Sequence, residues 1–191
     1  MQRIGLFGGT FDPVHLGHLL VAQAAFEELQ LSRLFFIPAA QSPFKPESNP
    51  APAAARLRLL RLALVGQTQY EVDDQEIRRG GTSFTIDTVR DYAARYSEAE
   101  LFYLIGADQV EQLDKWRAAE ELARLVQFAF IPRSGAAAVA ERPPFRLRGL
   151  QGFSVGISSS QIRARVRAGL PIEPLVPAAV AEAIRNSKLY L

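Results

Sequence analysis

The most constraining stretch of this chain is a short apolar run, residues 4–7, that ends in Gly8 and Gly9 and leads through TFDPVHLGH into a pattern of helical period, residues 19–30. A buried strand that stops at two glycines opens a β-α-β unit, and glycine there lets the backbone turn sharply and approach a ligand. The helix that follows turns its free N–H groups and positive dipole end toward the same place, so residues 8–18 are expected to form a phosphate site. Both histidines of the chain, His15 and His18, lie here. Three residues apart at a helix start, they share one side of the first turn and can reach one ligand together.

The alternation continues along the chain. Leu19, Ala22, Phe26 and Leu29 repeat at helical spacing, and residues 34–37 form a second apolar run stopped by Pro38. Strand, helix, strand predicts parallel pairing through a right-handed crossover. Residues 39–53, rich in Pro, Ser, Asn and Gln and holding Ser42 and Lys45, read as a long loop leaving the carboxyl end of that strand, the edge where open α/β sheets bind ligands. Residues 56–64 resume a helix with Leu57, Leu60 and Leu64 inward and Arg58 and Arg61 outward, and residues 70–73 read as a short strand. A second loop, 78–83, leads to Thr85 as the expected N-cap of a helix to about Tyr96.

Residues 101–105 are the next strand, ending at Gly106, with Asp108 again where a strand meets a helix. Lys115 and Trp116, a helix over 118–125, a strand over 127–131 and a loop with Arg133 follow. Residues 135–150 show no period and read as an irregular connection with one short strand, and residues 153–157 read as the last strand. Ser158, Ser159 and Ser160 then open a helix carrying Arg163, Arg165 and Arg167, and Pro177 starts a terminal helix to about Asn186. The fold class expected is α/β, a Rossmann-like doubly wound parallel sheet with a small helical C-terminal part from about residue 158. A length of 191 residues suits one domain, 1–191.

Composition narrows the function. Lys and Arg number 22 against 20 Asp and Glu, and 48% of residues are hydrophobic, which is globular rather than disordered. A net charge of +2 is too small to argue for nucleic-acid wrapping. The absence of cysteine excludes disulfides, thiolate nucleophiles and cysteine-held metals. No stretch has the length and apolarity of a signal peptide or a membrane span, so a cytoplasmic location without a membrane partner is expected. Assembly into a homo-oligomer is left open.

Several chemistries compete for the 8–18 stretch. A dinucleotide turn would need G-x-G-x-x-G and an acidic residue closing the second strand, but the glycines are Gly5, Gly8 and Gly9 and that strand ends FFIPAA. No G-x-x-x-x-G-K-[ST] occurs, which disfavours a P-loop. A zinc pair from His15 and His18 would depend on carboxylates for its remaining ligands. Two histidines merely capping a helix is the plain structural alternative.

A second anion-binding pattern lies in ISSSQIR, residues 157–163. A strand running into a serine-rich helix start with an arginine one turn in presents N–H groups, hydroxyls and a guanidinium to a polyanion. A serine N-cap beside an exposed arginine is the structural alternative, and Trp116 alone is as consistent with a core position as with stacking on a planar ring.

The 8–18 stretch resembles the H-x-G-H motif of the nucleotidylyltransferase superfamily, and with FDP it is similar to the bacterial nicotinate mononucleotide adenylyltransferases. Phosphopantetheine adenylyltransferases usually carry Thr where His15 stands, and glycerol-phosphate cytidylyltransferases usually lack the Pro after the Asp. ISSSQIR resembles the I-S-S-T-x-I-R motif of the same superfamily, with Ser160 in place of Thr. The resemblance implies AMP transfer from ATP to nicotinate mononucleotide, giving the dinucleotide and pyrophosphate. It assigns His15, His18, Lys45 and Arg163 to catalysis. Gly8, Gly9, Thr10, Phe11, Gly106, Asp108, Arg133 and Ser158 to Ser160 are assigned to ATP, and Ser42, Thr85 and Trp116 to nicotinate mononucleotide. Mg²⁺ would ride on the ATP oxygens rather than on protein ligands. A nucleotidylyltransferase with nicotinamide mononucleotide, phosphopantetheine or a cytidylyl acceptor, and an ATP-binding module without turnover, stay open as alternatives.

Overall fold

The computed structural model describes residues 1–44, 49–132, 141–153 and 155–191. Six parallel strands form one sheet in the order β3-β2-β1-β4-β5-β6. They are β1 (Arg3–Gly9), β2 (Arg33–Pro38), β3 (Tyr70–Val72), β4 (Glu100–Leu104), β5 (Gln127–Phe130) and β6 (Leu147–Gly149). The order reverses between β1 and β4, which places a crevice beyond their carboxyl ends, where doubly wound sheets take ligands. In register, Phe7 lies beside Phe36 on one flank and Leu104 on the other.

Alternation along the strands builds a core on each face. Phe7, Leu34, Phe36, Phe102 and Leu104 point to one side and pack against α1 (Leu16–Glu28), α2 (Ala53–Ala63), α7 (Ser159–Arg167) and α8 (Ala178–Ser187). Ile4, Leu6, Phe35, Ile37, Leu101, Tyr103 and Phe128 point to the other, against α4 (Thr85–Arg95) and α6 (Ala119–Leu125). Period-two apolar runs buried on both faces are what a parallel sheet with helices on each side requires. Two short helices, α3 (Gln75–Arg79) and α5 (Ala107–Val110), follow β3 and β4. No helix of the described residues is long and apolar enough to cross a membrane.

The structure corrects several expectations. Of the stretch expected as a strand, 153–157, the described residues 153 and 155–157 are not in one: Phe153 is 67% exposed, and the backbone N–H groups of Gln151 and Gly152 just before it donate to the Glu28 carboxylate on α1 instead of to a neighbouring strand. The sixth strand is instead β6, the one short strand expected within residues 135–150, where Phe128, Ala129 and Phe130 pair with Leu147, Arg148 and Gly149. Thr85 is the first residue of α4 rather than its cap, which is Phe84. Residues 78–79 end α3 instead of lying in a loop, and the chain reverses at Gly80 and Gly81, both at positive φ. The inward stripe of α2 is Arg56, Leu59, Leu60 and Ala63, with Leu57 only half-buried. Gly8 and Gly9 finish β1 rather than turning, and the sharp turn falls at Phe11, at φ 49°.

Candidate active site

The site grows from the end of β1. Gly8 has no side chain because Tyr103 on β4 occupies that space: a Cβ at Gly8 would stand 2.0 Å from the Tyr103 hydroxyl. The glycine therefore serves a close approach between strands. After the turn at Phe11, His15 is the residue preceding α1, with extended backbone, and His18 follows in the first turn. Their rings lie 3.7 Å apart between centroids, and the His15 N–H donates to His18 Nδ1 at 3.2 Å. A ring nitrogen that accepts carries no proton, so in neutral His18 the proton sits on Nε2. Phe11, buried, packs edge-on against His18 at 5.0 Å and supports the ring from below.

Gly17, the glycine of the H-x-G-H pattern, has a similar cause. A Cβ there would lie 3.0 Å from His15 Nδ1 and 3.1 Å from Cε1, so any side chain would push on the imidazole. Burial lowers the His15 pKa to about 4 and depresses His18 as well, with the neighbouring His15 adding to the effect. Both rings are neutral near pH 7 before a ligand arrives. A polyanion within hydrogen-bond reach favours their charged forms.

The start of α7 docks on the same turn. Ser159 Oγ donates to the Pro13 carbonyl at 2.9 Å, and Arg163 Nη1 donates to the Asp12 carbonyl at 2.7 Å and lies 3.6 Å from the Asp12 carboxylate. Arg163 Nη2 donates to Ser160 Oγ at 3.2 Å. Ser158 caps the helix: its Oγ accepts from the Gln161 backbone N–H at 3.3 Å, and its own N–H donates to the Gln161 side-chain Oε1 at 2.9 Å. The two anion-binding patterns, some 150 residues apart in sequence, thus form one wall, and the three serines each have a structural partner within it.

Beside that wall lies a cavity of about 210 Å³ at the β1/β4 switch point. Gly8, Gly9, Thr10, Ser42, Thr85, Gly106 and Trp116 all line it. Gly106 faces open space, with nothing within 4 Å of where a Cβ would be. Asp108 is exposed in the first turn of α5, next to that rim. Trp116 packs edge-on against Tyr103 and Phe128 and meets Phe44 at 5.5 Å, while its indole N–H is buried without a partner among the described residues. Thr85 Oγ1 donates to the Tyr103 hydroxyl at 3.4 Å. Lys45 and Arg133 lie outside the described residues.

Three groups that hold this site together escape a sequence reading built on exposed polar residues. Arg56, 1% exposed, donates to the carbonyls of Ala51, Thr10 and Ala39 at 2.8–2.9 Å, and so ties the ends of β1 and β2 to the start of α2. Its position on the apolar stripe with Leu59, Leu60 and Ala63 is the available signal, since an arginine facing a core needs partners there. Glu76, also buried, lines the cavity and accepts the Thr88 hydroxyl at 2.6 Å; burial raises its pKa. Asp12 Oδ1 accepts the Tyr190 hydroxyl at 2.8 Å and the Ala51 N–H at 3.2 Å.

Residues 6–165 match the cytidylyltransferase-like family model. Along nearly its whole length the chain is similar to two bacterial sequences named probable nicotinate-nucleotide adenylyltransferase. The one from Opitutus terrae is 43% identical, covering 99% of this chain and 98% of that protein. The one from Shouchella clausii is 42% identical, covering 100% and 97%. The fold is similar to that of Plasmodium falciparum nicotinic acid mononucleotide adenylyltransferase complexed with NaAD, at a TM-score of 0.79 and 17% identity over 100% of this chain and 98% of that one.

Proposed function

The chain belongs to the cytidylyltransferase-like family and is similar along nearly its full length to sequences named probable nicotinate-nucleotide adenylyltransferase, and on that footing we propose that it transfers AMP from ATP to nicotinate mononucleotide. The products are nicotinate adenine dinucleotide and pyrophosphate. The observation that carries this reading is the docking of α7 on the Asp12–Pro13 turn, which sets His15, His18, Ser160 and Arg163 on one wall next to a cavity lined by Thr85 and Trp116.

The nucleophile is a phosphate oxygen of the acceptor. A phosphomonoester has a second pKa near ~6 and is largely dianionic at neutral pH, so it needs no general base. What the protein supplies is position and charge. Neutral His18, with its proton on Nε2, offers a hydrogen-bond donor, and His15 and His18 gain charge as the triphosphate arrives. Arg163, backed by the positive end of α7, offsets charge on the leaving pyrophosphate. Lys45, from its place in the sequence, adds charge on the acceptor side, and Arg133 on the ATP side. The adenylyl donor's ribose lies along Gly106 and Asp108, its phosphates along Gly8 to Thr10, and the pyridine ring lies against Trp116 with Ser42 and Thr85 at its rim.

A divalent metal is the family's usual companion of ATP. Among the described residues no group of three His, Cys, Asp or Glu side chains could hold an ion, and the wall offers mainly nitrogen and hydroxyl donors rather than the oxygen cage that Mg²⁺ takes. Mg²⁺ would ride on the nucleotide's own phosphate oxygens, neutralising part of the charge that His15, His18 and Arg163 face.

Purified protein given Mg-ATP and, separately, nicotinate mononucleotide, nicotinamide mononucleotide, phosphopantetheine and glycerol phosphate tests this by pyrophosphate release. Turnover is expected with nicotinate mononucleotide at the highest kcat/KM. A higher value for another acceptor replaces the substrate, and no release with any acceptor despite ATP binding by calorimetry replaces the activity with nucleotide sensing.

A further inference from the structure

Asp12 is 5% exposed and its two carboxylate oxygens have different partners. Oδ1 accepts from the Tyr190 hydroxyl at 2.8 Å and the Ala51 N–H at 3.2 Å, while Oδ2 faces Arg163 Nη1 at 3.6 Å. The same Nη1 donates to the Asp12 backbone carbonyl at 2.7 Å, so the guanidinium stands beside the carboxylate without pairing closely with it. We propose that Tyr190, beyond the last helix and far in sequence from every motif, is a positioning residue for the phosphate side of the site: by satisfying Oδ1 of Asp12 it keeps Arg163 turned toward the bound triphosphate.

The argument is one of competition. A buried carboxylate that loses a donor recruits another, because an unsatisfied buried charge is costly. Two guanidiniums surround Asp12. Arg56 is held by three carbonyls at 2.8–2.9 Å and is not free to turn. Arg163, more exposed and with Ser160 at 3.2 Å as its other side-chain partner, is the one that can close on Asp12. Without the Tyr190 hydroxyl it does so, and the charge offered to phosphate falls. Tyr190 is well placed to remain a donor: burial and the bond to Asp12 hold its hydroxyl above the usual phenol range. The ring packs against the core that α1, α2 and α8 share, so Tyr190→Phe removes the hydroxyl and leaves the packing.

This inference rests on Arg163 being a triphosphate ligand, which Arg163→Ala tests by itself. In steady-state pyrophosphate release, Tyr190→Phe is expected to raise the KM for ATP about five- to tenfold, less than the full worth of one hydrogen bond at a charged group because the effect reaches ATP only through Arg163. The KM for nicotinate mononucleotide stays within about twofold, and the thermal midpoint is followed alongside. In an Arg163→Ala or an Asp12→Asn background the same change is expected to add nothing further to the KM for ATP. An unchanged KM for ATP, equal rises for both substrates, or full additivity with Arg163→Ala overturns the positioning role. A normal KM for ATP in Arg163→Ala itself overturns the triphosphate assignment, and the Tyr190 role with it. Should Tyr190→Phe fail to fold, Asp12→Asn tests the competition from its other end: with the competing charge gone Arg163 stays free for phosphate, so the KM for ATP is expected within about twofold of the unaltered protein, and a larger rise overturns the positioning role.

Discussion

The two sides of the cleft are built by different means. The phosphate side is a lattice of hydrogen bonds across long sequence distances: Arg163 and Ser159 reach back to Asp12 and Pro13, Tyr190 reaches Asp12, and Arg56 binds Thr10 and Ala39. The ring side is made of packed aromatic edges, with Trp116 against Tyr103 and Phe128; buried polar atoms on Trp116 and Gln109 have no partner among the described residues, as His15 Nδ1 has none on the phosphate side. A transferring phosphate needs donors fixed before it arrives, since reorganising them during reaction costs rate. A planar ring needs a shaped apolar slot with a few polar groups left over to read its substituent. The first side should therefore govern turnover and the second side acceptor affinity.

The sharpest attempt to break that division is His18→Ala. Loss of a donor aimed at the transferring phosphate is expected to lower kcat on the order of 10² or more, with ATP still bound in calorimetry. A kcat within a factor of two of the unaltered protein would remove His18 from the chemistry.

Next in size is a pH effect on folding. His15 titrates at about 4 when folded against 6.5 for a free imidazole, because burial disfavours its cation. Between those values the unfolded chain binds a proton that the folded chain does not, so stability is full above about pH 6.5 and declines as the pH falls toward 4. The loss is at most about 3 kcal/mol from this residue. His15→Asn, which keeps a residue suited to a helix cap, should show a shallower decline in urea midpoints over that range. A parallel decline in the two proteins would mean that His15 is not the group responsible.

The same division governs how much was legible in the sequence. The β1 end, the two histidines and the serine-opened helix announce themselves because glycines, His15, His18 and ISSSQIR sit where local chemistry demands them. The parallel pairing and most strands follow from apolar runs buried on two faces, while the order of the strands comes from the structure alone. What failed locally was decided elsewhere. Residues 153–157 have a strand's composition, yet β6 takes the place beside β5 and Glu28 takes the backbone N–H groups just before them. Arg56 and Tyr190 act on carbonyls and a carboxylate from distant segments, and no spacing rule joins Tyr190 to Asp12 across 178 residues.

On the ring side, Trp116→Ala is expected to raise the KM for nicotinate mononucleotide between about tenfold and a hundredfold, the usual worth of stacking a base-like ring, while the KM for ATP changes less than about threefold. Equal effects on the two substrates in the same kinetic assay would show that Trp116 supports the whole cleft and that the two sides are not separable.

The smallest effect is the most discriminating about how the ring is read. Thr85 Oγ1 meets the Tyr103 hydroxyl at 3.4 Å, near the limit of a hydrogen bond, and both hydroxyls belong to the cavity wall. Tyr103 is buried, and its hydroxyl is shifted upward by burial, so it stays protonated and can turn its donor to either Thr85 or a ligand. Thr85→Val keeps the shape at the start of α4 and removes one weak partner. If packing governs acceptor affinity, the KM for nicotinate mononucleotide rises no more than about threefold, the low end of the range for one neutral hydrogen bond, as suits a long one. A rise matching that of Trp116→Ala would make the ring side a hydrogen-bonding site as specific as the phosphate side. Tyr103→Phe then separates the two hydroxyls: a loss shared with Thr85→Val and not added to it in the double variant assigns the reading to the pair rather than to Thr85 alone.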